Sequence, residues 1–357
     1  MPQPATHYLV TRRAIPKEHW STWWDQYKPY FGLGSSAPDL FYFPLLPKIV
    51  KNIRKDIDWG ELANPLHSSR SYDMFCTLLS KAKRNKLQGK LDAEKQFAFA
   101  FGYYCHVVTD CIFHPYVYRS TNDHWSSTDF SNELSHKKQE LYIDTGIFQK
   151  FYDKSQNFSR IQWECNGETE AMLDGSIANL LNETLQEIYP DCYPNLDLSD
   201  KEHPIHQAYY AMIQSIKGLF EGTELYLWGK RVTIDAAEVR LAAPTHFFTS
   251  PYPHCPTLDD YTPDDLFNFA SAACRKIFII SLDFWNNEIT SAKDYFKTDF
   301  THYLNCGNWN LDTGLPCHYN NYKQMRDENS EHYSFKSDEL KEIYRVLREE
   351  YYSLDFK

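Results

Sequence analysis

The sequence predicts an all-α (mainly α) protein, a multi-helix bundle, and three features carry that prediction. The run from Asp92 to about Tyr118 is nearly continuous in apolar residues, the mark of a helix buried in a core. A second helix follows it closely, and helical patterning recurs at 166–189, 203–221, 263–289 and 336–352. No internal repeat and no low-complexity segment competes with this reading.

In chain order, the first third alternates helices with proline-bearing loops. Pro16, Pro29, Pro38, Pro44, Pro47 and Pro65 punctuate it, and each disfavours helix at the residue before it, which places His7, Asp39 and His67 on or beside loops. The buried helix opens on Asp92 and Glu94, acidic residues that suit the positive end of a helix, and a break is expected near Pro115. A polar loop, roughly 120–129, leads into the second helix, which opens around Ser131 to Glu133 and runs to about Phe148. The segment from Glu224 to Arg240 reads either as a short strand pair or as another helix. Residues 1–190 form the region that carries the chemistry. Residues 191–357 form a mostly helical region of unassigned role, either separate or packed on the first as one domain.

With 357 residues and 42% hydrophobic content, the chain can bury a full core. Its 16% aromatic share leaves two readings open: a tyrosine-rich core, or aromatic side chains near a lipid headgroup interface. For Trp20, Trp23 and Trp24, at helical spacing, the core is the preferred reading. A net charge of -11 argues against a nucleic-acid partner, although divalent ions in an acidic pocket would reverse the local sign. Nine cysteines, an odd number without a C-x-x-C pair, predict mostly free, buried thiols. The opening MPQPATHYLV lacks the basic start and apolar run of a secretory signal, and no stretch approaches about 18 uncharged apolar residues. The expectation is a soluble chain, cytoplasmic or exported by a signal-independent route.

Within the buried helix, His106, Asp110 and His114 fall at i, i+4 and i+8, and so share one face. Unpaired polar and charged groups in an apolar setting cost several kcal/mol, roughly the range for buried groups without partners, so something positive must answer them. Zinc does so with imidazole nitrogen and carboxylate oxygen. The second helix repeats the device with His136, Glu140 and Asp144. Asp144 is the member most easily explained as a solvated helix face, and it is expected to support the site from outside the ligand set. Four loop histidines of the second half, His246, His254, His302 and His318, share no frame and read as ordinary loop residues.

These motifs, taken in order with Thr6 to Tyr8 (THY), Ala37 to Asp39 (APD) and His67 in NPLHSS, resemble the zinc-dependent phospholipase C family. That family is related to the N-terminal domain of glycosylphosphatidylinositol-specific phospholipase D and, more distantly, to the S1/P1 nucleases. The resemblance covers about the first 150 residues and implies a phospholipase C/P1 nuclease-like bundle. It implies one zinc on His67, His106 and Asp110, with Asp39 beside it as ligand or base, and a second on His114, His136 and Glu140. A third would sit on His7 and a shared Asp110 carboxylate, completed in the family by an N-terminal Trp. This chain opens Met1-Pro2, and removal of the initiator would let Pro2 take that role; the plainer reading is that Pro2 and Pro4 stiffen a frayed end.

The family chemistry implied is zinc-activated attack of water on phosphorus, with two or three Zn2+ per chain and Asp39 as general base; the competing reading of Asp39 is a helix N-cap after Pro38. The expected substrate is a glycerophospholipid such as phosphatidylcholine, or another phosphodiester, met at a transient membrane surface. Phe41, Tyr42 and Phe43 are available as pocket walls. The alternatives are an S1/P1-like nuclease using the same cluster and a non-catalytic protein in which zinc staples helices.

Overall fold

The computed structural model describes residues 4–45, 54–121, 173–193, 198, 200, 203–220, 225–227, 230–232, 261–299, 309–311, 315–316 and 345, with helical positions 136, 139–140, 143–144, 146–147 and 150–151. The fold they form is all-α. α1 (Pro4–Ala14) leads through a 3-10 turn (Lys17–His19) and a π turn (Trp20–Trp24) into α2 (Asp25–Gly34). A 3-10 helix (Ala37–Leu45), α3 (Trp59–Ser68), α4 (Ser71–Leu87) and α5 (Ala93–Thr121) follow. α6 (Gly175–Ile188), α7 (Pro204–Phe220), α8 (Pro263–Asn286) and α9 (Ala292–Asp299) complete the helices described. The strands among the described residues are two antiparallel pairs, β1 (Leu225–Leu227) with β2 (Lys230–Val232) and β3 (Trp309–Asn310) with β4 (Leu315–Pro316). The first pair settles part of the ambiguous 224–240 segment as a hairpin.

α5 is the axis of the bundle. Phe97, Phe99, Phe101, Tyr103, Phe113, Tyr116 and Val117 are all buried, because α1, α2, α4, α6 and α8 surround it. The expected break at Pro115 does not occur: α5 continues to Thr121. A proline in a helix interior costs about 3 kcal/mol, and burial of Phe113, Tyr116 and Val117 around it offsets that cost. The same competition bears on His7, Asp39 and His67, expected on or beside loops. His7 lies inside α1, Asp39 in the 3-10 helix and His67 in the last turn of α3, which tolerates Pro65 because Leu62, Ala63, Leu66 and His67 all bury.

Caps fix several helix ends. Asp58 accepts from the Gly60 and Glu61 backbone amides at the start of α3, and Asp174 accepts from those of Ser176 and Ile177 at the start of α6. Asp174 therefore sets the start of the helix expected from 166. Thr262 and Asp265 form a reciprocal capping box ahead of α8, with Pro263 at its first position. The other end of α8 rests on α4: buried Lys83 donates to the carbonyls of Phe284, Trp285 and Asn287, and Lys86 donates to Trp285. Two ammonium groups at a helix C-terminus suit its partial negative charge. They dock a helix of the second half onto one of the first.

Among the described residues many aromatic side chains pack into this core. Trp23 packs on Phe97 at 4.6 Å, Phe97 on Trp285 at 5.0 Å and Phe101 on Phe278 at 5.1 Å between ring centroids. Trp24 is buried against Tyr8 and Phe31, whereas Trp20 is partly buried. Cys76, Cys105 and Cys274 are free and buried, Cys111 is buried and Cys192 half-buried. Among the described residues no helix is long and apolar enough to cross a membrane.

α2 and α5 cross at two glycines. A Cβ on Gly34 would lie 2.2 Å from the Phe99 carbonyl oxygen, and one on Gly102 would lie 2.3 Å from that of Phe31. Only residues without a side chain allow this approach. It carries Ser35, at the end of α2, against the face of α5 that bears His106.

Candidate metal centre

Three groups of buried side chains bring ligand atoms within 4.8 Å of one another: Asp39, His67 and His106; His7, His106 and Asp110; and His114, His136 and Glu140. The eight side chains singled out from the sequence fall into these groups. His246, His254, His302, His318 and Pro2 lie outside the described residues.

The first two groups form one continuous cluster. The 3-10 helix supplies Asp39, whose Oδ1 lies 2.9 Å from His67 Nε2 and 3.6 Å from His106 Nε2. Asp110 Oδ2 lies 2.9 Å from His106 Nε2 and 3.8 Å from His67 Nε2. Asp110 Oδ1 lies 3.2 Å from His7 Nε2, and the His7 and His106 rings stack at 3.9 Å. The helical spacing of His106 and Asp110 puts both on the same face of α5, where His7 of α1 and His67 of α3 reach Asp110.

His106 Nδ1 donates to the Ser35 carbonyl at 2.8 Å, which fixes the tautomer and turns Nε2 into the cluster. This is the consequence of the Gly34–Gly102 crossing. The third group repeats the arrangement. His114 Nδ1 donates to the Leu311 carbonyl at 2.7 Å, and its Nε2 faces Glu140 Oε1 at 3.6 Å. His136 Nε2 lies 2.7 Å from the same oxygen.

A metal fits these groups on the chemistry of what is left over. His7 Nε2, His106 Nε2 and both oxygens of Asp110 are buried without a hydrogen bond of acceptable geometry, although they crowd one another. Buried polar atoms left without a hydrogen bond carry a desolvation cost. A cation with nitrogen and oxygen ligands repays it, and histidine with carboxylate is a zinc donor set. Burial and charge pairing set the protonation preferences of the cluster. Burial pulls His7 below the ordinary histidine value, and the neighbouring His106 lowers it further. At His106 burial acts the same way, but the Asp110 and Asp39 carboxylates outweigh it and hold the ring up at about 9. Burial pushes Asp110 up, yet His106, His114 and His7 overcome that and keep it well below the usual carboxylate range. Burial holds His114 well below its ordinary value, so its ring stays neutral.

Asp144 joins none of the three groups among the described residues. Its buried carboxylate instead accepts from the backbone amides of Ala5, at 3.1 Å, and Thr6, at 2.6 Å. It thereby fastens the first turn of α1, immediately before His7, to the helix that carries Glu140. Burial raises its carboxyl to about 7 despite these bonds. Tyr42, partly buried, sets its ring 4.9 Å from His67 and donates its hydroxyl to Asn64. Sequence reasoning missed Ser35, Leu311 and the two glycines. The first two act through backbone carbonyls, which no residue type announces; Gly102, inside a run of large apolar residues, was the available signal.

No curated protein and no solved structure matches the chain. A family model described as zinc dependent phospholipase C matches residues 6–191, which span α1 to α6 and all three groups. With that match running over more than half of its length, the chain belongs to the zinc-dependent phospholipase C family.

Proposed function

We propose that the protein is a phosphodiester hydrolase of the phospholipase C type, releasing diacylglycerol and a phosphorylated headgroup from glycerophospholipids such as phosphatidylcholine. The observation that carries this reading is the convergence of five buried histidines and three carboxylates on adjoining groups inside the family-matched region. Asp39, His67, His106 and Asp110 would hold one zinc, His114, His136 and Glu140 a second, and His7 with Asp110 a third. Zinc bound there supplies a water acidic enough to attack phosphorus near neutral pH and positive charge for the phosphate oxygens.

The chain's own residues do the rest. Asp39, buried against His67, is the proposed general base, taking the proton from the attacking water at its carboxylate. Its place among candidate ligands lets it orient that water as well. Tyr42, beside His67, offers an aromatic wall for the headgroup, where a quaternary ammonium is attracted to a ring face. The net charge of -11 favours a lipid over a nucleic acid.

The test is hydrolysis of phosphatidylcholine vesicles and of single-stranded DNA by the purified chain, with zinc counted per chain. Asp39→Asn is expected to lower turnover on phosphatidylcholine by about 100-fold or more, the scale of a lost general base, while keeping most of the metal. Hydrolysis of DNA alone selects the nuclease reading. A chain without zinc sinks both.

A further inference from the structure

We infer that Leu311, far outside the family-matched region, is a positioning residue of the metal centre, joining its two halves through its own backbone. The inference rests on the reading of His114, His136 and Glu140 as a metal group. Leu311 is fully buried, directly after β3, and β3 packs against α3, α4 and α5. Its N–H donates to the His67 carbonyl at 2.7 Å. His67 sits in the last turn of α3, where carbonyls lack a partner within the helix, so Leu311 answers one of them. Its own carbonyl accepts from His114 Nδ1 at 2.7 Å.

One peptide segment therefore touches a ligand candidate of each cluster. At His67 it holds the backbone from which the imidazole projects toward Asp39. At His114 it sets the tautomer: a carbonyl only accepts, so the proton stays on Nδ1 and the Nε2 lone pair faces Glu140. A partner on the far ring nitrogen of a ligating histidine typically governs metal affinity by about 10–100-fold. Ser35 does this for His106 from within the matched region; Leu311 does it for His114 from outside. The second half of the chain is thereby part of the metal centre, and the His114 group is complete only when the 309–316 hairpin is docked.

The test uses the full chain. Leu311→Pro removes the N–H given to His67 and displaces the carbonyl given to His114, whereas Leu311→Ile keeps both backbone groups and the apolar volume. In chelator competition, Leu311→Pro should bind its weakest zinc equivalent about 10–100-fold less tightly, with Leu311→Ile restoring wild-type binding. A cooperatively melting Leu311→Pro with unchanged affinity for every equivalent overturns the inference. Should that variant not fold, the wild-type protein decides. With labelled histidine nitrogen and leucine carbonyl carbon, the His114 Nδ1 proton should show coupling through the hydrogen bond to the Leu311 carbonyl. A His114 protonated on Nε2 overturns the role. A wild-type chain that takes up no zinc overturns the functional reading, a result distinct from unaltered affinity in Leu311→Pro.

Discussion

Two points on α5, about two turns apart, hold their histidines by different means. Toward its start, Gly102 lets α2 lie backbone to backbone on α5, and the Ser35 carbonyl reaches His106 from a neighbouring helix end. Toward its finish, His114 meets the Leu311 carbonyl, which comes from a short strand pair 197 residues away in the chain. The first arrangement is held by direct contact of two helices, and the second by a segment that docks on them from far along the chain. Preorganisation at the His106 end is thus a property of the bundle. At the His114 end it is a property of long-range assembly.

The strongest way to break this contrast is Gly102→Ala. The added Cβ would meet backbone of α2, which cannot swing aside as a flexible side chain would. We expect a loss of about 3 kcal/mol, the upper range for overpacking, read by denaturant unfolding, together with weaker zinc binding at the His106 end. A loss under 1 kcal/mol, on the scale of ordinary surface changes, would show that α2 and α5 are not held by that crossing.

Asp144→Ala should come next. It leaves the Ala5 and Thr6 amides without their carboxylate acceptor, at about 2 kcal/mol for buried donors deprived of a partner. Because α1 carries His7, the variant should also release zinc from the His7 group before the His114 group, which metal analysis during stepwise chelation can follow.

The smallest effect concerns protons. His106 stays protonated up to about pH 9 in the metal-free protein, while His7 and His114 are held neutral by burial. A metal needs the neutral ring, so loading the His106 end at pH 7 should expel the His106 proton, and affinity there should fall as pH drops below about 9. Filling the other end should release none from His114. Titration of metal-free protein under pH-stat control measures the difference; equal release from both ends would erase it.

Much of this was legible in the chain. The apolar run that became α5 and the i, i+4 pairs His106/Asp110 and His136/Glu140 are local patterns, set by the geometry of a helix alone. Proline rules expected His7, Asp39 and His67 on or beside loops, where His7 and Asp39 proved helical, and a break at Pro115 that does not occur. A local penalty of about 3 kcal/mol yields where the surrounding turns bury large side chains. Asp144, read as a solvated helix face or a support outside the ligand set, is buried and faces α1, because which residue a helix face meets depends on its neighbours.

By itself, then, the sequence determined which side chains are metal-competent and which of them share a helix face, since both follow from residue type and a fixed helical period. Only the tertiary structure decided how His7 and His106 stack, which carbonyl fixes each imidazole, and that Leu311 belongs to the centre at all. Those are backbone contacts between residues far apart in the chain. Every residue carries the same carbonyl and, proline apart, the same amide, so no letter of the sequence marks the ones that matter.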